Sequence, residues 1–327
     1  MTDLRIAVFG AGLVGARHVE TVAQNSQLAA VVDPNPKARE LADRFAVPYF
    51  ETPEACLDEM TPDGVIIATP NNLHADHALL CLDRSVPELV EKPIADTVEN
   101  ADRIVEASKR TSVPVLIGHH RRHNPHIARA KEIIESGALG DIVAVNGQFW
   151  LYKPDDYFTM GWRGKTGGGP LLINCIHDID LLRHLIGEIS EITIMRSSHV
   201  RGGTVEDTAA MIMRFQTGAL GTFSLSDTVV APWSWEMTSG ENAIYPRTSE
   251  SCYRLGGTHG SLSIPDMRVW EHKGQRSWWS DMTSETKPSD NYDTLTRQFE
   301  HFCDVIRGAA PKVSAQDGRE TLKTILR

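Results

Sequence analysis

Hydrophobic and polar positions along the first 120 residues follow a repeating rhythm. Short apolar runs, too brief for helices, alternate with stretches in which apolar residues recur every three or four positions. The runs are Arg5 to Phe9, Leu28 to Val32, Val47 to Phe50, Gly64 to Ala68, Glu88 to Val90 and Pro114 to Gly118. Between them the helical period predicts helices from a glycine turn to about Asn25, from Pro36 to Phe45, from Pro53 to Met60 and from His74 to Asp83. A further helix runs to about Thr111, started by a capping box of Asp96 and Glu99. Apolar strands in strict alternation with helices predict a doubly wound, parallel α/β sheet.

The rhythm changes beyond residue 120. After a helix from Pro125 to about Ser136, the segments Asp141 to Trp150, Glu191 to Val200, Asp207 to Gln216 and Ala219 to Asp227 read as long strands, with Thr217-Gly218 as a hairpin turn. These are signals of a large, mostly antiparallel open sheet, with one face apolar enough to pack on helices and the other able to pair with a second subunit. Another helix is predicted from about Pro170 to Ile186, with Leu171, Leu172, Ile176, Ile179, Leu182 and Leu185 on its buried side. The expected division is therefore an α/β domain over residues 1–120 and an α+β domain over residues 121–327. Val229 to Arg254, which carries Trp233, Trp235, Tyr245 and Tyr253, fits neither period. It suits a substrate lid, a subunit contact or plain packing.

Composition narrows the class. A chain of 327 residues, 41% hydrophobic and 23% charged, is that of a globular protein with two cores. No apolar run approaches membrane-spanning length, and the first residues lack the pattern of a signal peptide, so a cytoplasmic protein is expected. The five cysteines have no CxxC spacing and read as reduced thiols. A net charge of -10 without a long Lys/Arg run argues against nucleic acid as a partner.

Candidate chemistry begins at Gly10-Ala11-Gly12-Leu13-Val14-Gly15, between the first strand and its helix. In such a turn backbone N–H groups and the positive helix end hold a pyrophosphate. Asp33 ends the second strand 18 residues beyond Gly15, close to the spacing at which an acid accepts hydrogen bonds from ribose hydroxyls. NAD is therefore expected over NADP, although Lys37 and Arg39 are near; the bland alternative for Asp33 is a helix N-cap. Thr69-Pro70-Asn71 falls at the carboxyl edge of the sheet, where open α/β sheets bind ligands, and Lys92 closes a strand at the same edge. His119, His120, His123 and His126 raise a metal reading, but the segment leaves a strand and meets Pro125 before a helix is established, and no metal is assigned.

Taken together, the Gly10 to Gly15 fingerprint, Thr69-Pro70-Asn71 with His74, Glu91-Lys92-Pro93, Gly118 to Pro125, and Gly167-Gly168-Gly169 followed by His177 and Asp180 give a chain that resembles the glucose–fructose oxidoreductase/inositol dehydrogenase/rhizopine catabolism (Gfo/Idh/MocA) family. The likeness implies an N-terminal Rossmann domain that binds NAD and a C-terminal α+β domain whose sheet serves as an oligomer interface, in a homodimer or homotetramer. It implies that Gly10, Ala11, Gly12, Leu13, Val14, Gly15, Asp33, Thr69, Pro70, Asn71, His74, Glu91, Lys92, Trp162 and Arg163 line the cofactor, and that His177 matches the catalytic His. The stretch after Gly118 lines the family's cleft without metal, Arg121 or Arg122 could orient a polar substrate, and Asp178 is a further substrate-binding candidate. Asp180 matches a position read as structural. One departure stands out: inositol-type members carry an Asp four residues before the His, where this chain has Ile173. Asn174 is the nearest polar substitute.

The resemblance implies an NAD-dependent dehydrogenase acting on a secondary alcohol of a cyclic polyol or sugar-like substrate. His177 suits the general base and Lys92 the group that orients the hydroxyl and stabilises charge on oxygen, an assignment that reverses if the oxidised nicotinamide lowers the Lys92 pKa. Three alternatives belong to the same fold: glycoside cleavage through bound NAD, dihydrodiol oxidation, and a non-catalytic nucleotide sensor.

Overall fold

A computed structural model of the protein describes residues 3–159, 163–165, 167–289 and 293–327. The chain divides into two compact units, residues 1–120 with 293–323 and residues 121–292 with 324–327.

The first unit carries six strands, β1 (Arg5–Phe9), β2 (Gln27–Val32), β3 (Tyr49–Phe50), β4 (Gly64–Ile67), β5 (Glu88–Val90) and β6 (Val115–Ile117). All pair in parallel in the order β3-β2-β1-β4-β5-β6. The intervening helices are α1 (Leu13–Asn25), α2 (Ala38–Arg44), α3 (Pro53–Glu59), α4 (His74–Asp83) and α5 (Val98–Thr111). Ile6, Val8, Ile66, Ile67, Leu89 and Val90 are fully buried, as helices on both faces of a parallel sheet require. Strand order reverses between β1 and β4, which makes their carboxyl ends the topological switch point. The expected cap of α5 shifts by one residue. Thr97 accepts from the Asn100 N–H at 3.2 Å, while Asp96 instead accepts from the Asn100 side chain at 2.8 Å.

The second unit is built on eight strands: β7 (Ile142–Trp150), β8 (Ile189–Ser197), β9 (Thr208–Phe215), β10 (Leu220–Ser226), β11 (Tyr253–Gly257), β12 (Gly260–Ile264), β13 (Arg268–His272) and β14 (Met282–Thr286). They lie in the order β14-β13-β12-β11-β7-β10-β9-β8, antiparallel except for the parallel pair β10 and β7. Burial alternates along β9: Met211, Met213 and Phe215 point to the core, Ala210, Ile212 and Arg214 to the other face. The helices of this unit are α6 (Pro125–Glu135), α7 (Ile176–Ile186) and the single turn α8 (Trp235–Thr238) within the long irregular segment.

The helix expected from Pro170 has a different start. Leu171–Cys175 form a π-helical turn that runs into α7. A π turn is underwound relative to an α-helix. Leu172, Ile173 and Asn174 are accordingly half-buried, whereas α7 from Ile176 to Arg183 is buried on every side.

The last helices, α9 (Thr294–Ile306) and α10 (Ala315–Ile325), depart from the expected division at residue 120. Residues 293–323 belong with the first unit. Phe302 and Ile306 of α9 lie over Gly64, where a Cβ would stand 2.6 Å from Ile306, and Ile117 donates to the Val313 carbonyl at 2.9 Å. An amphipathic helix at a chain end announces a buried face but not which core receives it. Among the described residues no helix is long and apolar enough to cross a membrane, and the five cysteines are all buried thiols.

Candidate active site

In the first unit, the glycine turn after β1 is shaped by close backbone approach. Gly10 sits at φ +92°, and a Cβ there would be 2.5 Å from the Ala68 carbonyl oxygen. A Cβ on Gly15 would be 1.9 Å from the Gly10 oxygen, so α1 can rest on the turn only if that position has no side chain. At Gly12, the N-cap of α1, a Cβ would meet nothing. No side chain caps this helix, which leaves its first N–H groups for a pyrophosphate. Leu13 and Val14, although apolar, are exposed at 82% and 46%, as surface that a bound dinucleotide would cover.

Asp33 straps this turn. One carboxylate oxygen accepts the Ala11 N–H at 2.7 Å and the other accepts the Asn35 N–H at 2.8 Å. A carboxylate has about four lone-pair sites, so two backbone donors leave room for ribose hydroxyls. Arg39, the nearby candidate for a 2'-phosphate, lies over the Tyr49 ring at 4.8 Å, and Tyr49 donates to the Asp33 carbonyl at 2.8 Å. These residues fit an NAD-type dinucleotide.

The segment after β5 is held from inside. Glu91 is buried: one oxygen lies 2.8 Å from His18 Nε2 of α1 and the other accepts the Lys92 N–H at 3.1 Å. Gly118 makes this possible, since a Cβ there would stand 2.9 Å from the Glu91 carboxyl carbon. Burial pushes Glu91 up, but the hydrogen bond and charge of His18, with His120 and Lys92, reverse that and hold it at about 2. Glu91, expected to line the cofactor, thus has its carboxylate turned inward as the anchor that presents Lys92. His74 has a similar place: its ring nitrogens lie 2.8 Å from the Pro93 and Thr69 carbonyls, joining the loops after β5 and β4. Burial lowers its pKa, against the two carbonyls, which favour the protonated ring. Thr69 lies 3.1 Å from His77 Nδ1, and Pro70 and Asn71 lead into a short 3-10 turn at the carboxyl edge.

In the second unit the polar groups are buried and paired. Arg121 donates to Asp178 at 3.0 Å and to Glu236 of α8 at 2.8 Å, with its guanidinium 5.5 Å from the Trp235 ring centre. Tyr253 donates a short hydrogen bond to the same Asp178 oxygen. Burial pushes Asp178 up to about 7, against the opposing charge of Arg121. Arg122 grips Asp180 with two parallel bonds of 2.8 and 2.7 Å. Arg121, Arg122 and Asp178, expected to meet substrate, are therefore engaged in buried ion pairs, Arg121 with Asp178 and Arg122 with Asp180, and Trp235 and Tyr253 of the long segment are part of this buried frame. Trp233 packs edge-on against Trp150 at 5.6 Å. Three of the four aromatic residues of the segment are thus packed within this unit.

The glycine run before α7 has a definite geometry. Gly167 is at φ +87°, and a Cβ on Gly169 would lie 2.2 Å from Glu206, which accepts the Leu171 N–H at 2.9 Å and so caps the π turn. His177, 6% exposed, follows that turn on α7. Asn174 accepts from Lys153 Nζ at 2.7 Å. Lys153, three residues beyond β7, is a residue that the sequence pattern does not single out. Burial first, then Arg201 and Arg163, lower its pKa to about 8 despite Asp227 and Glu236. Arg163 stacks on Tyr157 at 3.9 Å and donates to its carbonyl at 2.9 Å, within this unit; Trp162 lies outside the described residues.

Comparison with known proteins gives two family matches that together span most of the chain. Residues 4–119 match an oxidoreductase family described as an NAD-binding Rossmann fold, and residues 127–263 match the GFO/IDH/MocA C-terminal domain. The chain is similar to the rhizopine catabolism protein MocA of Rhizobium meliloti, 31% identical over 231 residues that cover 69% of this chain and 72% of that protein. It is also similar to the scyllo-inositol 2-dehydrogenase (NAD(+)) of Bacillus subtilis, 29% identical over 277 residues that cover 81% and 71%. Among solved structures, the WlbA dehydrogenase from Bordetella pertussis, in complex with NADH and UDP-GlcNAcA, shares the fold with a TM-score of 0.80 at 22% identity, over 99% of this chain and 94% of that one.

Proposed function

The chain belongs to the Gfo/Idh/MocA family of NAD-dependent oxidoreductases, and from that premise we propose that it oxidises a secondary alcohol of a cyclic polyol or sugar-like substrate, or runs the reverse reduction. The observation that carries this reading is the way Lys92 is fixed. Its own N–H is bonded to Glu91, and Glu91 is locked to α1 through His18. A lysine so positioned at the carboxyl edge of a parallel sheet is suited to a reacting group.

NAD, when bound, accepts or returns the hydride at nicotinamide C4. Lys92 donates a hydrogen bond to the reacting oxygen and stabilises the negative charge that grows there. His177 takes the hydroxyl proton on its imidazole, whose intrinsic pKa near neutrality suits a base. The buried frame of Arg121, Asp178, Tyr253, Arg122 and Asp180 fixes the helix that bears His177, so we assign these residues to positioning.

The test is turnover of a panel of inositols, aldoses, glycosides, dihydrodiols and hydroxy acids with NAD and with NADP, followed by absorbance of the reduced nicotinamide. NAD-linked reduction with a polyol or sugar is expected. Turnover of glycosides without net reduced nicotinamide, or no turnover of any panel member, would overturn the reading.

We assign a homo-oligomer to the solvent face of the second unit's sheet, where Val143, Met195, Ile212 and Leu220 are 50 to 74% exposed. Light scattering on the purified protein should give a dimer or tetramer, and Ile212→Asp should reduce that mass; a monomer in the unaltered protein would refute it.

A further inference from the structure

Resting on the dehydrogenase reading, we propose that Lys153, oriented by Asn174 and flanked by Arg163 and Arg201, binds an oxyanion of the substrate, so that the preferred substrate is an acidic sugar or polyol. The oxyanion is a carboxylate or a phosphate.

The argument begins with what Lys153 lacks. Its side chain is 7% exposed, a costly place for an ammonium group unless it is well paired. Of its three N–H donors, one meets Asn174 Oδ1 at 2.7 Å. The nearest carboxylate, Asp227, stands 3.8 Å away, beyond hydrogen-bond distance, and the Tyr157 ring centre lies at 4.9 Å. Among the described residues no other acceptor is in contact. At that distance Lys153 and Asp227 form an ion pair without a hydrogen bond, and the bonds to the Asp227 carboxylate go to another cation. Arg201 holds that place: its Nε donates to Asp227 at 2.8 Å, and its Nη2 donates to the Lys153 and Asp227 carbonyls, each at 2.8 Å.

The surroundings gather positive charge on two rings. Lys153, Arg163 and Arg201 share the faces of two adjacent aromatic rings, Arg163 and Lys153 on Tyr157 and Arg201 on Phe158 at 4.1 Å. The carboxylates around them are engaged elsewhere: Asp227 accepts from Arg201 at 2.8 Å, Asp207 accepts the Val200 and Arg201 N–H groups at 2.9 Å, and Asp155, 3.6 Å from Arg201, is 94% exposed and screened by water. Glu236 acts on Lys153 from α8, but it is itself bonded to Arg121. An incoming oxyanion would supply acceptors for the remaining Lys153 donors. It would also lie near the chemistry: Asn174, which orients Lys153, is three residues before His177 on the same turn-to-helix segment.

Protonation gives an independent signature. The groups that face Lys153 are Asp227 from the loop after β10, Glu236 from α8, Arg201 from the loop after β8, Arg163 and Tyr157 from the segment after β7, and the neutral Asn174. Their sum leaves the ammonium to lose its proton at about 8. Binding of an acid should therefore weaken above that pH.

The experiment uses the full-length protein saturated with NAD. Thermal stabilisation and NAD reduction are measured with D-gluconate and D-glucuronate, with D-glucose 6-phosphate, and with the neutral D-glucitol and D-glucose. The acids should bind or react at least about tenfold better than their neutral counterparts, a ratio expected of a charge-assisted hydrogen bond. Lys153→Met should collapse that ratio towards one. Arg163→Met, at a half-exposed position, should lower it as well and serves if Lys153→Met does not fold. A preference for carboxylates over the phosphate, or the reverse, identifies the oxyanion. Equal response to acids and neutral compounds, binding of none of them, or a ratio unchanged in the folded variants overturns the proposal. The dehydrogenase reading fails separately: acids that stabilise the protein through Lys153 while nothing on the wider panel is oxidised would keep this subsite and remove that activity.

Discussion

In the first unit, the groups offered to a dinucleotide are mainly backbone. Gly12 opens onto space, α1 presents uncapped N–H groups, and Asp33 spends two of its acceptor sites on the turn itself. In the second unit the working groups are side chains held by other buried side chains far away in sequence: Arg121 to Asp178 and Glu236, Arg122 to Asp180, Lys153 to Asn174. A backbone site depends on turn shape and tolerates change around it. A site built on buried charges is only as stable as each pair, since removing one partner strands the other in a medium that penalises lone charge. The two units should therefore answer mutation differently, in size and in kind.

The largest effect is expected in the second unit. Arg121→Met leaves Asp178 and Glu236 buried without their cation, which costs about 3–5 kcal/mol. Calorimetry should show Tm lower by roughly 10 °C. Asp178→Asn sharpens the point. Burial has pushed Asp178 from 3.8 up to about 7, so the folded state favours its protonated form. Wild-type stability from this group therefore declines as pH rises between those values, and Asp178→Asn should remove that slope at a smaller loss than Arg121→Met. Equal losses would mean that the pair is not the unit of stability.

Next in size is Lys92→Met, the exception within the first unit because there we assign the chemistry to a side chain. It should lower kcat by about 10² or more while NAD still binds the glycine turn. A fall of less than about tenfold would remove Lys92 from the reaction. Its anchor supplies a pH test. Glu91 is held at about 2, below the ordinary 4.5, so its contribution is full above 4.5 and is lost as pH falls towards 2. Glu91→Gln should weaken the protein at neutral pH and flatten its acid unfolding curve.

The same contrast explains what was legible in the sequence. The doubly wound sheet and its switch point follow from six apolar runs and a glycine turn, because local periodicity and φ preference are written in adjacent residues. The long strands of the second unit follow from alternation in the same way. The frame around α7 does not: nothing near Arg121 in sequence names Asp178, and nothing near Lys153 names Asn174 or Asp227. The π turn was hidden because Leu171 to Cys175 satisfies a helical pattern whether wound at 3.6 residues per turn or more loosely. Glu206 capping that turn through the space left by Gly169 is a contact across 35 residues. One signal was available for Lys153: a lysine within three residues of the end of a strand with apolar alternation, as Lys92 is within two residues of the end of β5.

A smaller effect is expected where backbone dominates. Asp33→Ser should narrow the preference for NAD over NADP by about tenfold, the scale of one or two charge-assisted hydrogen bonds and the loss of like-charge repulsion. Affinity for NAD itself should fall less, because the pyrophosphate contacts stay. Fluorescence titration of both cofactors checks this, and tighter binding of NADP than NAD to the unaltered protein would refute the role of Asp33.

The smallest effect concerns Asn174, and it separates two accounts of the position left by Ile173. If Asn174 replaced the family's Asp by serving the His177 ring, its removal would change the base. The geometry gives a different partner: its oxygen is 2.7 Å from Lys153. Asn174→Ala then removes one hydrogen bond, about 1 kcal/mol, and should raise KM roughly fivefold with little change in kcat. Asn174→Asp is the sharper variant. A carboxylate at that distance from Lys153 favours the ammonium, so the alkaline limb of the KM profile should move above the wild-type value of about 8. The same carboxylate cancels the positive charge on which acid binding depends, so the preference for acidic substrates should fall even though Lys153 stays protonated. A change confined to kcat, with an acid limb set by the base, would instead return Asn174 to His177.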